Sequence, residues 1–260
     1  MIASVPAPRL APGGAAPREG PPTPGAPERA AVRSMFDRIA PRYDLLNRLL
    51  SAGIDVRWRR ACVDLLPLPP AARVLDLCTG TADLLLEALG RDSRRQGVGV
   101  DLSPAMLVRG AAKLAGRAPG QPAALLAGDV SALPLADASV DGALVAFGIR
   151  NVSEPARAFA ETLRVLRPGG ALVVLEFALP KGLLGSVYRF YFRSVLPRLG
   201  GLISGDREAY AYLPASVERF ATPRELAGLL EQAGYADVQS RPLTGGIAWL
   251  HRGTRPGARA

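Results

Sequence analysis

Between residues 32 and 66 apolar positions recur at helical spacing through VRSMFDRIAPRYDLLNRLLSAGIDVRWRRACVDLL, broken once by Pro41. That pattern predicts two or three helices ahead of the main fold. From Arg73 the pattern changes to short apolar runs separated by helical stretches. RVLDLC reads as a buried parallel strand, and GVGVDL, AALLAGD, DGALVAFG and ALVVLEFAL as four further strands. ADLLLEALG between the first two reads as a helix closing at Gly90. Ser103 followed by Pro104 predicts a capped helix start, and Ser153 with Pro155 opens another that runs to Leu166. RPGG is a turn, Thr222 with Pro223 opens a last helix that closes at Gly234, and ADVQSRPL and GGIAWLHRG read as a final antiparallel hairpin. Five β–α units and a hairpin predict an α/β fold: a doubly wound sheet of seven strands with N-terminal helices and an aromatic-rich insertion at 182–204.

Composition sharpens the boundaries. The first 29 residues hold 8 of the 24 prolines, 4 glycines and no aromatic residue, too little apolar surface to offset ordering entropy. We expect a tail over 1–30, one domain over 31–254 and a short tail over 255–260. The opening MIASVPAPRL carries prolines where a signal peptide needs an apolar run, and no run of eighteen apolar residues occurs. A cytoplasmic protein is expected. The two cysteines, Cys62 and Cys78, with the single His251, make neither a disulfide framework nor a zinc site, so no metal is expected. The net charge of +9 attracts anionic partners in principle. Yet only Lys113 and Lys181 among 32 basic residues are lysine, and the arginines are dispersed, as a GC-rich genome produces. No basic stripe with interleaved aromatics appears, and no nucleic-acid partner is expected.

Open α/β sheets bind ligands beyond the carboxyl ends of their strands. Those ends carry Asp76 to Ala82, Asp101, Asp129 and Phe147 to Asn151. The first turn, DLCTGTA, lacks the GxGxxG spacing that cradles a pyrophosphate, which disfavours a nicotinamide-linked reductase. A nucleoside without phosphate suits it better. Asp101 is placed to accept both hydroxyls of a ribose, and Asp129 to accept from an adenine amino group, a helix cap being the plainer reading of Asp129. S-adenosylmethionine has these parts.

At this point the chain resembles a family. VRSMFDRIAPRYDLLNRLLSAGIDVRWRR, VLDLCTGTADL, FGIRNVSEPARAFAETLRVLRPGGALVVLEF, VLPRLGGLISGDREAYAYLPASVERF and LTGGIAWLHRG are similar to segments of the quinone-biosynthesis C-methyltransferases. These act on demethylmenaquinol or on the methoxy-polyprenyl-benzoquinol of ubiquinone synthesis. The likeness runs from about residue 32 to residue 253. It implies S-adenosylmethionine as cofactor, with contacts on Thr81, Asp101, Asp129 and the backbone of Val130, and Asp76 and Gly80 in the same loop system. Cys78 and Ala82 stand where many members have glycine, and Ala146 where many have serine.

The implied reaction methylates a ring carbon, made nucleophilic by loss of a phenolic proton. Arg150, just past strand four, is the expected stabiliser of the phenolate, and Asn151 the residue that orients a water or ring oxygen. For Arg150 the competing reading is a structural ion pair. Tyr43 and Asp44 are second-tier lid candidates. His251 has the right kind of pKa for a base but sits late in the last strand, where a satisfied histidine is the simpler reading. Tyr188, Phe190, Tyr191 and Phe192, interleaved with Arg189 and Arg193, form either an ordinary packed lid or an apolar groove for a prenyl tail near a membrane. The expected partners are a prenylated quinol, a peripheral membrane contact and a second copy in a homodimer. Rival readings keep the fold with a small phenol, sterol or nucleic-acid base as acceptor, or make the chain a cofactor-binding partner protein without catalysis.

Overall fold

The computed structural model describes residues 28–180, 182–191, 194 and 207–257. The expected N-terminal tail lies outside the described residues up to position 27. Three helices come first: α1 (Arg29–Ile39), a 3-10 turn (Ala40–Arg42) at Pro41, α2 (Tyr43–Leu50) and α3 (Ile54–Leu65). Then follow β1 (Arg73–Leu77), α4 (Asp83–Leu89), β2 (Gln96–Asp101), α5 (Pro104–Arg117), β3 (Ala123–Ala127) and β4 (Val140–Ala146). After a 3-10 turn (Ile149–Asn151) come α6 (Pro155–Val165), β5 (Leu166–Phe177) and α7 (Gly182–Phe190). The described chain closes with α8 (Arg207–Arg219), α9 (Pro223–Gln232), β6 (Ala236–Leu243) and β7 (Ala248–Thr254).

The sheet has seven strands in the order β3-β2-β1-β4-β5-β7-β6. Strands β1 to β5 are parallel; β7 runs antiparallel between β5 and β6. This is the doubly wound arrangement the apolar runs predict. The order reverses at β1, because the chain steps outward to β3 and returns to β4 on β1's other side. That opens a crevice at the tips of β1 and β4. Strands β1, β4 and β5 are nearly wholly buried because helices cover both faces. One core lies under α6 and α9 around Phe159; the other packs Trp58 and Cys62 of α3 against Leu144 and Leu175.

Local signals explain the element starts. Ser103 accepts the amide of Met106, the cap read from Ser-Pro, and Thr222 forms a full capping box with Glu225. Three expectations are corrected. Helix α6 begins at Pro155 with Glu154, not Ser153, at its cap position, and Glu154 turns its carboxylate to Arg29 instead of to the helix backbone. RPGG does not precede β5 but is looped out within it: Leu166 pairs with Val140 and the register resumes at Ala171 with Gly142, Gly169 taking φ +80°. Gly245 and Gly246 form a 3-10 turn, so β7 starts at Ala248. Arg255, expected in a tail, still exchanges backbone hydrogen bonds with Gly169 and Gly170. No helix among the described residues is long and apolar enough to cross a membrane.

Candidate active site

The loop after β1 is built from left-handed turns. Cys78, Gly80 and Ala82 take φ of +50°, +55° and +63°. For the two residues with a Cβ this costs about 1–2 kcal/mol each, which explains why glycine suits these positions. Buried Asp76 offsets the strain, its Oδ2 accepting from Thr79 Oγ1 at 2.6 Å and from the Leu85 amide at 3.2 Å. A Cβ placed on Gly80 would meet nothing within 4 Å, so the space above it is open cleft. A Cβ on Gly148 would strike the Cβ of Cys78; glycine there lets the loop after β4 lie directly on the loop after β1.

Two compartments meet over these loops and share Phe36, Tyr43, Cys78, Gly80, Ala146 and Phe147 as walls. The smaller, about 60 Å³, contains Asp101, Asp129, Val130 and Asn151. Asp101 accepts the Gly80 amide and the Ser103 amide, each at 2.8 Å. Burial raises its pKa despite those bonds. Asp129 accepts the Ser131 amide at 2.8 Å, as a cap would, and also faces the cavity. Arg29 of α1 reaches over this compartment to Asp129 at 3.0 Å and Glu154 at 2.9 Å.

The larger compartment, about 410 Å³, is walled by aromatic rings, among them Trp58, Phe147, Phe177, Tyr188 and Tyr191. Phe147 stacks on Phe177 with centroids 4.3 Å apart. Arg150 lies in this wall, its guanidinium carbon 5.5 Å from the Phe177 ring centre. Its Nη1 binds Glu176 Oε1 at 2.8 Å and the carbonyl of Phe147; its Nε donates to Ser216 Oγ at 3.3 Å. The two charges are 7% and 2% exposed. Arg150 is therefore ion-paired, as the competing reading had it, and it also lines the cavity. Its charge is balanced by the Glu176 carboxylate. Asn151 sits in the other compartment and accepts from Tyr212 Oη at 3.1 Å.

The remaining expectations divide. Thr81 and Asp76 line the larger compartment, but the Thr81 hydroxyl is held by Asp44 at 2.6 Å and by Lys113 at 2.9 Å. Lys113 also binds Asp83, so α2 and α5 are stitched to the loop after β1 and the start of α4. Tyr43 lines both compartments. His251 lines neither: it is buried, bonded to Ser240 at 2.8 Å, and burial alone lowers its pKa to about 4. Phe192 and Arg193, like the side chain of Arg189, lie outside the described residues. Sequence reasoning missed Glu176, Tyr212 and Arg29. Glu176 was findable as the single charge inside the apolar run ALVVLEF.

Several carboxylates stand near the junction. Burial, followed by Asp101, Asp76, Asp129 and Glu176, pushes the Cys78 thiol well above its ordinary pKa. Carboxylates that disfavour a thiolate favour a sulfonium cation in the same place. The open cradle over Gly80, the ribose-type carboxylate of Asp101 and its acidic neighbours fit S-adenosylmethionine. A sheet of this order with that donor set defines an S-adenosylmethionine-dependent methyltransferase of the doubly wound class. The family model described as the ubiE/COQ5 methyltransferase family matches residues 26–255, and the chain belongs to that family.

Relatives agree. A protein of Syntrophotalea carbinolica named ubiquinone/menaquinone biosynthesis C-methyltransferase is 53% identical, covering 86% of this chain and 94% of that protein. The demethylmenaquinone methyltransferase of Thermus thermophilus is 50% identical over 85% of this chain and all of that protein. Among solved structures, the [4+2]-cyclase SpnF has a TM-score of 0.69 at 19% identity, covering 90% of this chain and 98% of that one. An S-adenosylmethionine-dependent methyltransferase of Thermotoga maritima has 0.60 at 21%, covering 86% and 99%. These two speak to the fold alone.

Asp76 gives a pH prediction. Burial pushes its pKa up to about 7, against the hydrogen bonds from Thr79 and Leu85 that lower it. It is therefore protonated below about pH 7 and ionised above, and only the ionised form attracts a cation. The affinity for S-adenosylmethionine relative to its uncharged-sulfur product is expected to rise about fivefold between about pH 6 and pH 8. In Asp76→Asn the ratio should stay flat. Calorimetry with both ligands checks this, and a wild-type ratio independent of pH refutes it.

Proposed function

We propose that this methyltransferase transfers the methyl group of S-adenosylmethionine to a ring carbon of a prenylated quinol, demethylmenaquinol being the acceptor. The observation that carries the reading is the aromatic compartment joined to the nucleoside compartment, with a buried Arg150–Glu176 pair in its wall. The name of the Thermus thermophilus relative supports the naphthoquinol. The name of the Syntrophotalea carbinolica relative covers both quinone types and favours a second reading, the benzoquinol of ubiquinone synthesis.

Asp101 would hold the ribose hydroxyls, Asp129 and the Val130 amide the adenine, and the loop of Asp76, Gly80 and Thr81 the amino-acid end. Bound there, the cofactor supplies an electrophilic methyl group. The protein's own task is to place the ring carbon and to favour the phenolate. Phe147, Phe177 and Trp58 confine a flat ring beside the junction and exclude water. Arg150, fixed by Glu176, offers N–H groups to the developing phenolate. Asn151, with Tyr212, orients a ring oxygen or a water that carries the proton away. The prenyl tail runs past Tyr188 and Tyr191 of the insertion toward the opening.

Expression in cells lacking each quinone methyltransferase step, followed by mass analysis of the quinone pool, tests this. Conversion of accumulated demethylmenaquinone to menaquinone is expected. Conversion of the benzoquinol precursor alone would shift the reading to the second acceptor, and an unchanged pool in both strains with soluble protein present would reject it.

A further inference from the structure

Four large hydrophobic side chains are exposed among the described residues: Leu45, Leu49, Val108 and Phe190. Three stand on elements that frame the larger compartment. Leu49 itself lines that compartment while 55% exposed, which puts it at the rim; Leu45, one helical turn away on α2, is 56% exposed. Phe190 ends α7, whose Tyr188 lines the same compartment.

The exposed residues around the two leucines are apolar or basic. Between residues 38 and 52 they are Arg38, Pro41, Arg42, Leu45, Arg48, Leu49 and Ala52. The one acid of that stretch, Asp44, keeps 40% of its side chain exposed, but its two oxygens are engaged, Oδ1 by Thr81 and Oδ2 by Lys113. The roll of α2 is fixed, because Leu46 is fully buried and Asp44 is tied down. Leu45 and Leu49 therefore cannot rotate into the core. A short helix with apolar residues outward and arginines on both flanks matches the boundary between acyl chains and anionic headgroups.

We propose that α2 seats the protein on an anionic lipid bilayer. Leu45 and Leu49 enter the interface, Arg38, Arg42 and Arg48 face headgroup phosphates, and the larger compartment opens at the membrane surface. The choice of a bilayer as the occupant rests on the prenylated-acceptor reading, since a substrate of that kind resides in lipid. Its charge partner follows from the arginines alone.

The test is co-sedimentation of the full chain with quinone-free vesicles of equal phosphatidylglycerol and phosphatidylcholine, against phosphatidylcholine alone. Wild type is expected to sediment with the anionic vesicles and to be released by salt. Leu45→Ser combined with Arg48→Glu, neither residue lining a compartment, is expected to lower the apparent affinity at least about tenfold. That variant should keep the wild-type rate on a short-chain quinol in solution and the wild-type melting temperature. Wild type remaining in the supernatant, or the double variant binding as well as wild type, overturns the proposal. So does sedimentation equilibrium in which the same variant abolishes a dimer, because the face would then cover a second copy. Vesicle binding without methylation of any quinol leaves the docking face standing and defeats the acceptor assignment, so the two failures are separable.

Discussion

Arg150→Met is expected to lower turnover roughly a hundredfold to a thousandfold while changing cofactor affinity little. The substitution removes the guanidinium that lines the aromatic compartment and leaves the smaller compartment, with Asp101 and Asp129, intact. It also strands the carboxylate of Glu176, which is 2% exposed and accepts from Arg150 and from the Phe177 amide. An unpaired buried charge costs about 3 to 5 kcal/mol, so the single variant should also melt early. Pairing it with Glu176→Gln removes the stranded charge. The double variant is expected to recover most of the lost stability and none of the lost turnover. Rates at saturating cofactor, read beside thermal unfolding, separate the two roles. Recovery of activity along with stability would mean that Arg150 merely holds the fold.

For Asp101 the larger loss is expected in the bound protein. Burial raises its pKa against the amides of Gly80 and Ser103, which its two oxygens accept. Asp101→Asn removes the charge but turns an NH2 donor toward one of those amides, so the variant without ligand should lose about 1 kcal/mol. Binding should suffer: two charge-assisted hydrogen bonds to a ribose are worth about 3 kcal/mol together, which corresponds to roughly a hundredfold in affinity. S-adenosylmethionine and its demethylated product should lose equally, because both carry the ribose. Calorimetry and thermal unfolding with and without ligand provide the check. Unchanged affinity would place the ribose elsewhere.

The elements that could be read from sequence are those whose signals are local. Apolar runs gave β1 to β5, Ser103-Pro104 gave the start of α5, and Thr222-Pro223 gave the start of α9. The topological rule then placed Gly80, Asp101 and Asp129 at one crevice, since strand tips converge wherever the order reverses. What stayed hidden depends on pairs distant in the chain. Arg150 and Glu176 are 26 positions apart, and no spacing rule joins a residue after one strand to a residue near the end of the next. Arg29 lies 125 positions from Glu154 and was read as part of a proline-rich tail because composition is averaged over a window. Arg29 nonetheless belongs to α1 and covers the cleft. Thr81 is a different case. Its position was legible, but the competition of Asp44 and Lys113 for its hydroxyl was not.

Helices α1 and α2 roof the cleft through contacts to Asp129, Glu154, Ser103, Thr81 and Lys113, all of which follow them in the chain. Synthesis proceeds from the amino end, so the ribosome releases this roof before any wall exists to carry it. Helices of 11 and 8 residues are marginal alone, and they must wait as unsettled nascent chain until β4 and α6 have emerged. The cleft is thus completed late in the life of the nascent polypeptide, by helices made before its walls.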